Sequence, residues 1–108
     1  MVESAASSLQ LVFGELVIDL ERYQVRVRGK ALVLPYREYA LLSYLAGRAG
    51  QVVARRRLLE EGLGRHDPAG VRLVDEHMRH LKSVLEREGQ FVLRAEADGG
   101  YQFTTRAA

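Results

Sequence analysis

Residues 70–103 constrain the fold of this chain more than any other stretch. Val74, Met78, Leu81 and Leu85 recur at steps of four, three and four, the spacing that lines one face of an α-helix with apolar side chains. Arg72, Glu76, Arg79, His80, Ser83 and Arg87 fall mainly on the remaining surface, and Gly89 stops the pattern. Two short extended runs follow, Phe91-Val92-Leu93-Arg94 and Tyr101-Gln102-Phe103-Thr104, around a turn at Asp98-Gly99-Gly100. A long amphipathic helix feeding directly into a β-hairpin is the arrangement to be accommodated by everything before it.

The preceding residues divide into a strand-rich part and a helical part. Leu9, Leu11 and Phe13 alternate with less apolar positions. Leu16, Ile18 and Leu20 do the same after Gly14-Glu15, and Tyr23, Val25 and Val27 alternate with Gln24, Arg26 and Arg28. A period of two marks strands with one buried face. Gly29-Lys30 reads as a tight turn into residues 31–34, which completes an antiparallel sheet of four strands. Pro35 opens a helix carrying Tyr39, Leu42 and Leu45 at steps of three, widened by Leu41, and Gly47 and Gly50 bracket its end. Gln51-Val52-Val53 reads as a short extended link. Residues 55–63 form a second helix anchored by Leu58 and Leu59, the Gly- and Pro-containing residues 64–70 form a loop, and the third helix runs over 71–88. The predicted fold is α+β: four strands, three helices and a closing hairpin, the order of a winged helix-turn-helix.

At 108 residues the chain is one domain, with residues 1–8 a lead-in or linker, 9–105 the folded unit and 106–108 a tail. Cysteine is absent, which excludes a disulfide framework, a thiolate zinc site and a cysteine nucleophile and fits a reducing compartment. The first ten residues lack the basic start and apolar block of a signal peptide, and no apolar run is long enough to span a bilayer. The net charge of +2 permits nucleic-acid binding without demanding it. No phosphate-binding loop, nucleophile elbow or zinc-protease motif is present, so no enzyme activity is expected. No cofactor is expected either. His77, His80 and Glu76 lie at spacings that could hold a metal on one helix face, but no further ligands stand nearby. His77 reads instead as a residue flanking the core and hydrogen-bonding there. Asp75 reads as the i, i+4 partner of Arg79.

Four blocks in order carry a family resemblance: Leu34-Pro35-Tyr36-Arg37-Glu38-Tyr39-Ala40-Leu41-Leu42, then Gly50-Gln51-Val52-Val53-Ala54-Arg55-Arg56-Arg57-Leu58-Leu59, then Val74-Asp75-Glu76-His77-Met78-Arg79-His80-Leu81-Lys82, and finally Gly99-Gly100-Tyr101-Gln102-Phe103. Together they resemble the DNA-binding effector domain of OmpR/PhoB-type response regulators over about residues 9–103. The resemblance implies sequence-specific binding of duplex DNA in bacterial transcription control, in the cytoplasm. The third helix would enter the major groove and the hairpin would reach the adjacent minor groove. It also implies a homodimer on direct repeats, and a loop at 64–70 facing RNA polymerase. Arg55, Arg72, Arg79, Lys82 and Tyr101 stand where the family places contacts to the DNA backbone, and Glu76, His80 and Ser83 face the base edges. The receiver domain of a full response regulator is not within these residues.

Several positions depart from the family pattern. His80 stands where an arginine often reads a base, and a neutral imidazole cannot make the bidentate grip of a guanidinium on guanine. Glu76 repels phosphates but can accept from cytosine N4. Leu63 replaces a common aromatic residue, and the wing carries Glu96-Ala97-Asp98 in place of its usual arginine. Over 71–88 the cations Arg72, Arg79, Lys82 and Arg87 are matched by the anions Asp75, Glu76, Glu86 and Glu88, so this segment has no net charge. Because non-specific affinity scales with the phosphates neutralised, weaker DNA binding than that of a typical relative is predicted. The alternative is a protein-interaction module on the same fold, using Leu63, Leu73 and the 64–70 loop. A continuous positive stripe across the third helix and wing would favour DNA, and a broken one a protein partner.

Overall fold

In the computed structural model, residues 9–88, 91–96 and 99–105 are described. The predicted lead-in at 1–8, the predicted tail at 106–108, the predicted helix stop Gly89 with Gln90, and Ala97 and Asp98 lie outside that set. Strands β1 (Gln10–Phe13), β2 (Leu16–Asp19), β3 (Gln24–Val27) and β4 (Lys30–Leu32) form an antiparallel sheet in sequence order. The pairings Leu16↔Val27 and Ile18↔Val25 put four buried side chains on its core face, which is what the period of two requires. Asp19 fixes the β2–β3 turn: its Oδ1 accepts from the backbone N–H of Glu21 and of Arg22, each at 2.9 Å. Those two bonds, with the nearby Arg22 guanidinium, hold the Asp19 carboxyl below the usual carboxylate range. β4 ends at Leu32, two residues short of the predicted strand.

Helix α1 (Tyr36–Ala46) follows, with Pro35 in the extended conformation immediately before it as its N-cap. The backbone N–H groups of Glu38 and Tyr39 bond to the Pro35 carbonyl. Leu41, Leu42 and Leu45 are completely buried, and the Tyr39 hydroxyl donates to the Asp19 carbonyl at 3.2 Å, tying α1 to the sheet.

The expected link at residues 51–53 is instead a strand, β5 (Val52–Ala54), in a second sheet with the wing strands β6 (Phe91–Ala95) and β7 (Gly100–Thr105), in the order β5-β7-β6. Three residues are too few to show a periodicity, and the strand exists because β7 offers it a partner. The pairings are Val52↔Gln102, Val53↔Tyr101 and Ala54↔Gly100. The wing is therefore anchored through its central strand to the residues that start the second helix. That helix, α2, is not uniform. An α-turn at Arg55–Arg57 passes into a π-helical turn at Leu58–Gly62, where the Leu63 N–H reaches the Leu58 carbonyl at 3.1 Å. Helix α3 (Gly70–Arg87) begins one residue before the predicted start and buries Val74, Met78, Leu81 and Leu85 as expected.

A single core joins both sheets and the three helices, and Phe13 meets Phe103 edge-on across it with ring centroids 5.1 Å apart. Close approaches at two glycines shape the site. A Cβ on Gly70 would lie 2.6 Å from Leu59 Cδ1, a methyl that can turn aside, so Ala is tolerable there. A Cβ on Gly100 would lie 2.9 Å from the Val53 carbonyl oxygen and 2.8 Å from Val52 Cγ1, and backbone cannot turn aside. Gly100→Ala is expected to lower stability by about 1–3 kcal/mol, the usual cost of overpacking, and Gly70→Ala by less, as read by urea denaturation of the two variants.

Candidate nucleic-acid interface

Arg72, Glu76, Arg79 and Ser83 are spaced i, i+4, i+7 and i+11 along α3 and are all exposed, so they form one outward ridge opposite the buried stripe. Lys82 flanks the ridge on the wing side. There α3, the start of α2 and the wing enclose an open groove of about 440 Å³, lined by Arg55, Arg79, Lys82 and Tyr101 together with Asp75 and Glu96. A second concavity of about 480 Å³ brings Arg55 and Arg72 together around Asp75. Five of the eight predicted site residues thus border two adjoining hollows, and Glu76 and Ser83 stand on the ridge beside them.

His80 is placed differently. Its side chain is 53% exposed, yet its Nδ1 is turned to Oε1 of Glu38 on α1, whose other oxygen lies 3.0 Å from His77 Nδ1. Glu38 is 3% exposed, so both imidazoles serve a buried carboxylate that would otherwise lack partners. Glu38 was missed as an organiser of this face. The sequence carries the signal: Glu38 shares the i, i+3, i+4, i+7 stripe of Leu41, Leu42 and Leu45, a carboxylate on an otherwise apolar face. His77 flanks the core, as expected, and its Nε2 is buried without a partner among the described residues. No group of three potential metal ligands forms among those residues.

Asp75 does not pair with Arg79. Its Oδ2 accepts from Arg55 Nη1 at 2.6 Å and its Oδ1 from the Tyr101 hydroxyl at 2.7 Å. The i, i+4 spacing permits the Arg79 pair, but two donors from α2 and the wing approach the same carboxylate and occupy both of its oxygens. Burial, aided by the Asp75 hydrogen bond and charge, pushes the Tyr101 hydroxyl up to about 12. Arg72, Arg79 and Lys82 make no ion pair among the described residues and remain available to an external anion. The positive surface is therefore a cluster interrupted by Asp75, Glu76 and Glu96, not an unbroken stripe.

The chain matches the family described as "Transcriptional regulatory protein, C terminal" over residues 29–103. It belongs to that family of OmpR/PhoB-type domains. It is 34% identical over 86 residues to the sensory transduction protein RegX3 of Mycobacterium leprae, a match covering 80% of this chain and 43% of that protein. It is 35% identical over 92 residues to the response regulator protein PmrA of Pseudomonas aeruginosa, covering 85% of this chain and 40% of PmrA. The chain thus spans less than half the length of these relatives. Among solved structures, it superposes on the Klebsiella pneumoniae RstA DNA-binding domain in complex with the RstA box with a TM-score of 0.74 and 28% identity, covering 88% of this chain and 96% of that one. The OmpR/PhoB-type effector fold, a winged helix-turn-helix behind a four-stranded sheet, is that of this chain.

Proposed function

We propose that this domain binds duplex DNA as the effector of a two-component transcriptional regulator, with α3 in the major groove and the β6–β7 wing beside the minor groove. The observation that carries the reading is the convergence of Arg55, Arg79 and Lys82 from two helices on one groove under the wing, with Arg72 in the adjoining hollow. Phosphate oxygens need such convergent cations. Arg55, Arg72, Arg79 and Lys82 hold the backbone, and Tyr101 lines the same groove from the wing with its hydroxyl given to Asp75. Glu76 and Ser83 on the ridge, and the free edge of His80, face the bases. The domain acts by binding and not by catalysis, in the cytoplasm; among the described residues no helix is long and apolar enough to cross a membrane. Assembly as a homodimer on DNA, and contact with RNA polymerase through the 64–70 loop, belong to the same proposal. That loop is braced by a two-point Arg65–Asp67 ion pair, at 3.0 and 2.9 Å, which depresses the Asp67 carboxyl.

The test is fluorescence anisotropy of labelled duplexes, one random in sequence and one taken from the DNA upstream of the chain's own coding region, across a salt series. With four cations on the interface, log affinity against log salt is expected to slope at about −3 to −4. Arg79→Ala should weaken binding to every duplex and reduce the slope by about one. A wild-type domain that binds neither duplex at 50 mM salt, on the order of the lowest concentrations normally used, would sink the proposal. The interrupted positive surface is the one observation on the side of the protein-interaction alternative, but its apolar anchors are not exposed: Leu63 packs partly against the core and Leu73 is only half exposed.

A further inference from the structure

The geometry points to Asp75 and Tyr101 as positioning residues that orient Arg55, with Arg55 alone of the three touching the DNA backbone. This rests on the DNA-binding reading and assigns the division of labour within its groove. Tyrosine has a single O–H, and that of Tyr101 is given to Asp75 Oδ1. What remains on its oxygen is lone pairs, which a phosphate oxygen repels. Arginine has five N–H donors. Arg55 directs Nη1 to Asp75 Oδ2 and keeps the others. Its Nε and Nη2 border Gly99, where a Cβ would come within 3.4 Å of both. The wing glycine leaves that edge of the guanidinium uncovered.

Three elements meet at this point. Arg55 follows β5 directly, β5 is paired to β7 at Val53↔Tyr101, and Asp75 closes the triangle from α3. A guanidinium held on one edge by a carboxylate, itself steadied by a hydroxyl, presents its other edge in one orientation. Less side-chain entropy is then lost when a phosphate arrives. The arrangement also places a negative charge close to the incoming phosphate, and this makes the inference testable. By charge alone, removing Asp75 would tighten binding; by orientation, it would loosen it.

The experiment uses the whole chain and a random-sequence 30-base-pair duplex of about three helical turns, with anisotropy read at fixed salt. Asp75→Asn is expected to weaken binding about fivefold to tenfold despite its added net charge, and Tyr101→Phe about threefold, as losses of charge-assisted hydrogen bonds. Neither change should add to the loss already caused by Arg55→Ala, since both act through that side chain. A tighter-binding Asp75→Asn overturns the inference, as does a Tyr101→Phe effect that persists undiminished in the Arg55→Ala background, which would mean that Tyr101 touches DNA itself. A second readout is independent of DNA: the tyrosinate absorbance change assigned by difference from Tyr101→Phe should occur near 12 in the wild type and move towards 10 in Asp75→Asn. An unmoved transition also overturns the inference. If the wild type binds no duplex, the DNA reading falls, and the absorbance titration shows separately whether the Asp75–Tyr101 contact exists.

Discussion

The double reversal Arg79→Glu/Lys82→Glu is expected to abolish duplex binding under conditions where the wild type is half saturated. Each cation stands exposed in the groove beneath the wing with no ion pair among the described residues, so each can give charge-assisted hydrogen bonds to a phosphate. Losing two such contacts costs about 3–6 kcal/mol, or roughly two to four decades of affinity. The salt slope should fall by about two units as two fewer phosphates are neutralised. Both side chains point to solvent, so the thermal midpoint should stay near that of the wild type. Anisotropy across a salt series, paired with a melting curve, checks both statements. A double variant that retains wild-type affinity would show that DNA, if bound, uses another face.

Phe103→Ala is expected to remove a large part of the domain's stability. Phe103 is fully buried and is the largest of the completely enclosed side chains among the described residues. It lies in β7, the central strand of the second sheet, packs edge-on against Phe13 of β1, and its carbonyl accepts from the Gly50 N–H at 2.9 Å. The ring therefore joins the N-terminal sheet to the wing sheet. Truncation should cost about 3–5 kcal/mol, against a total of about 5–15 kcal/mol for a domain. Phe103→Leu, which refills most of the volume, should cost less than about half as much. Urea denaturation followed by circular dichroism measures the difference; a loss below about 1 kcal/mol would mean that the surrounding side chains collapse into the cavity.

A further expectation concerns high pH. Because folding raises the Tyr101 hydroxyl from 10 to about 12, its contribution to stability is complete below pH 10 and declines as pH rises towards 12. Tyr101→Phe should flatten that part of the stability profile, as measured by denaturation midpoints.

Most of the fold was legible in local patterns. The α3 stripe and the Leu16, Ile18, Val25 and Val27 alternation each repeat several times within one element, and repetition separates a period of two from one of 3.6. β5 was not legible, because three residues do not make a period and its partner lies about fifty positions away. The π-helical turn in α2 was equally hidden: Leu58 and Leu59 mark a buried turn, but that pattern does not distinguish the i→i−5 bond of Leu63 to Leu58 from an ordinary helical one.

For the interface, the family resemblance nominated Arg72, Arg79 and Lys82, and the buried stripe of α3 accounts for the exposure of these residues and of Ser83. Spacing alone assigned Asp75 to Arg79, and tertiary structure reassigned it to Arg55 and Tyr101, 20 and 26 positions away. Likewise the buried Glu38 turns one edge of His80 towards α1. The sequence by itself determined which elements form and which face of each is buried, because those depend on periodicities written within a single element. Only the tertiary structure decided how charges pair across elements, because a carboxylate takes the donors that packing delivers to it, and those arrive from helices and strands remote in the chain.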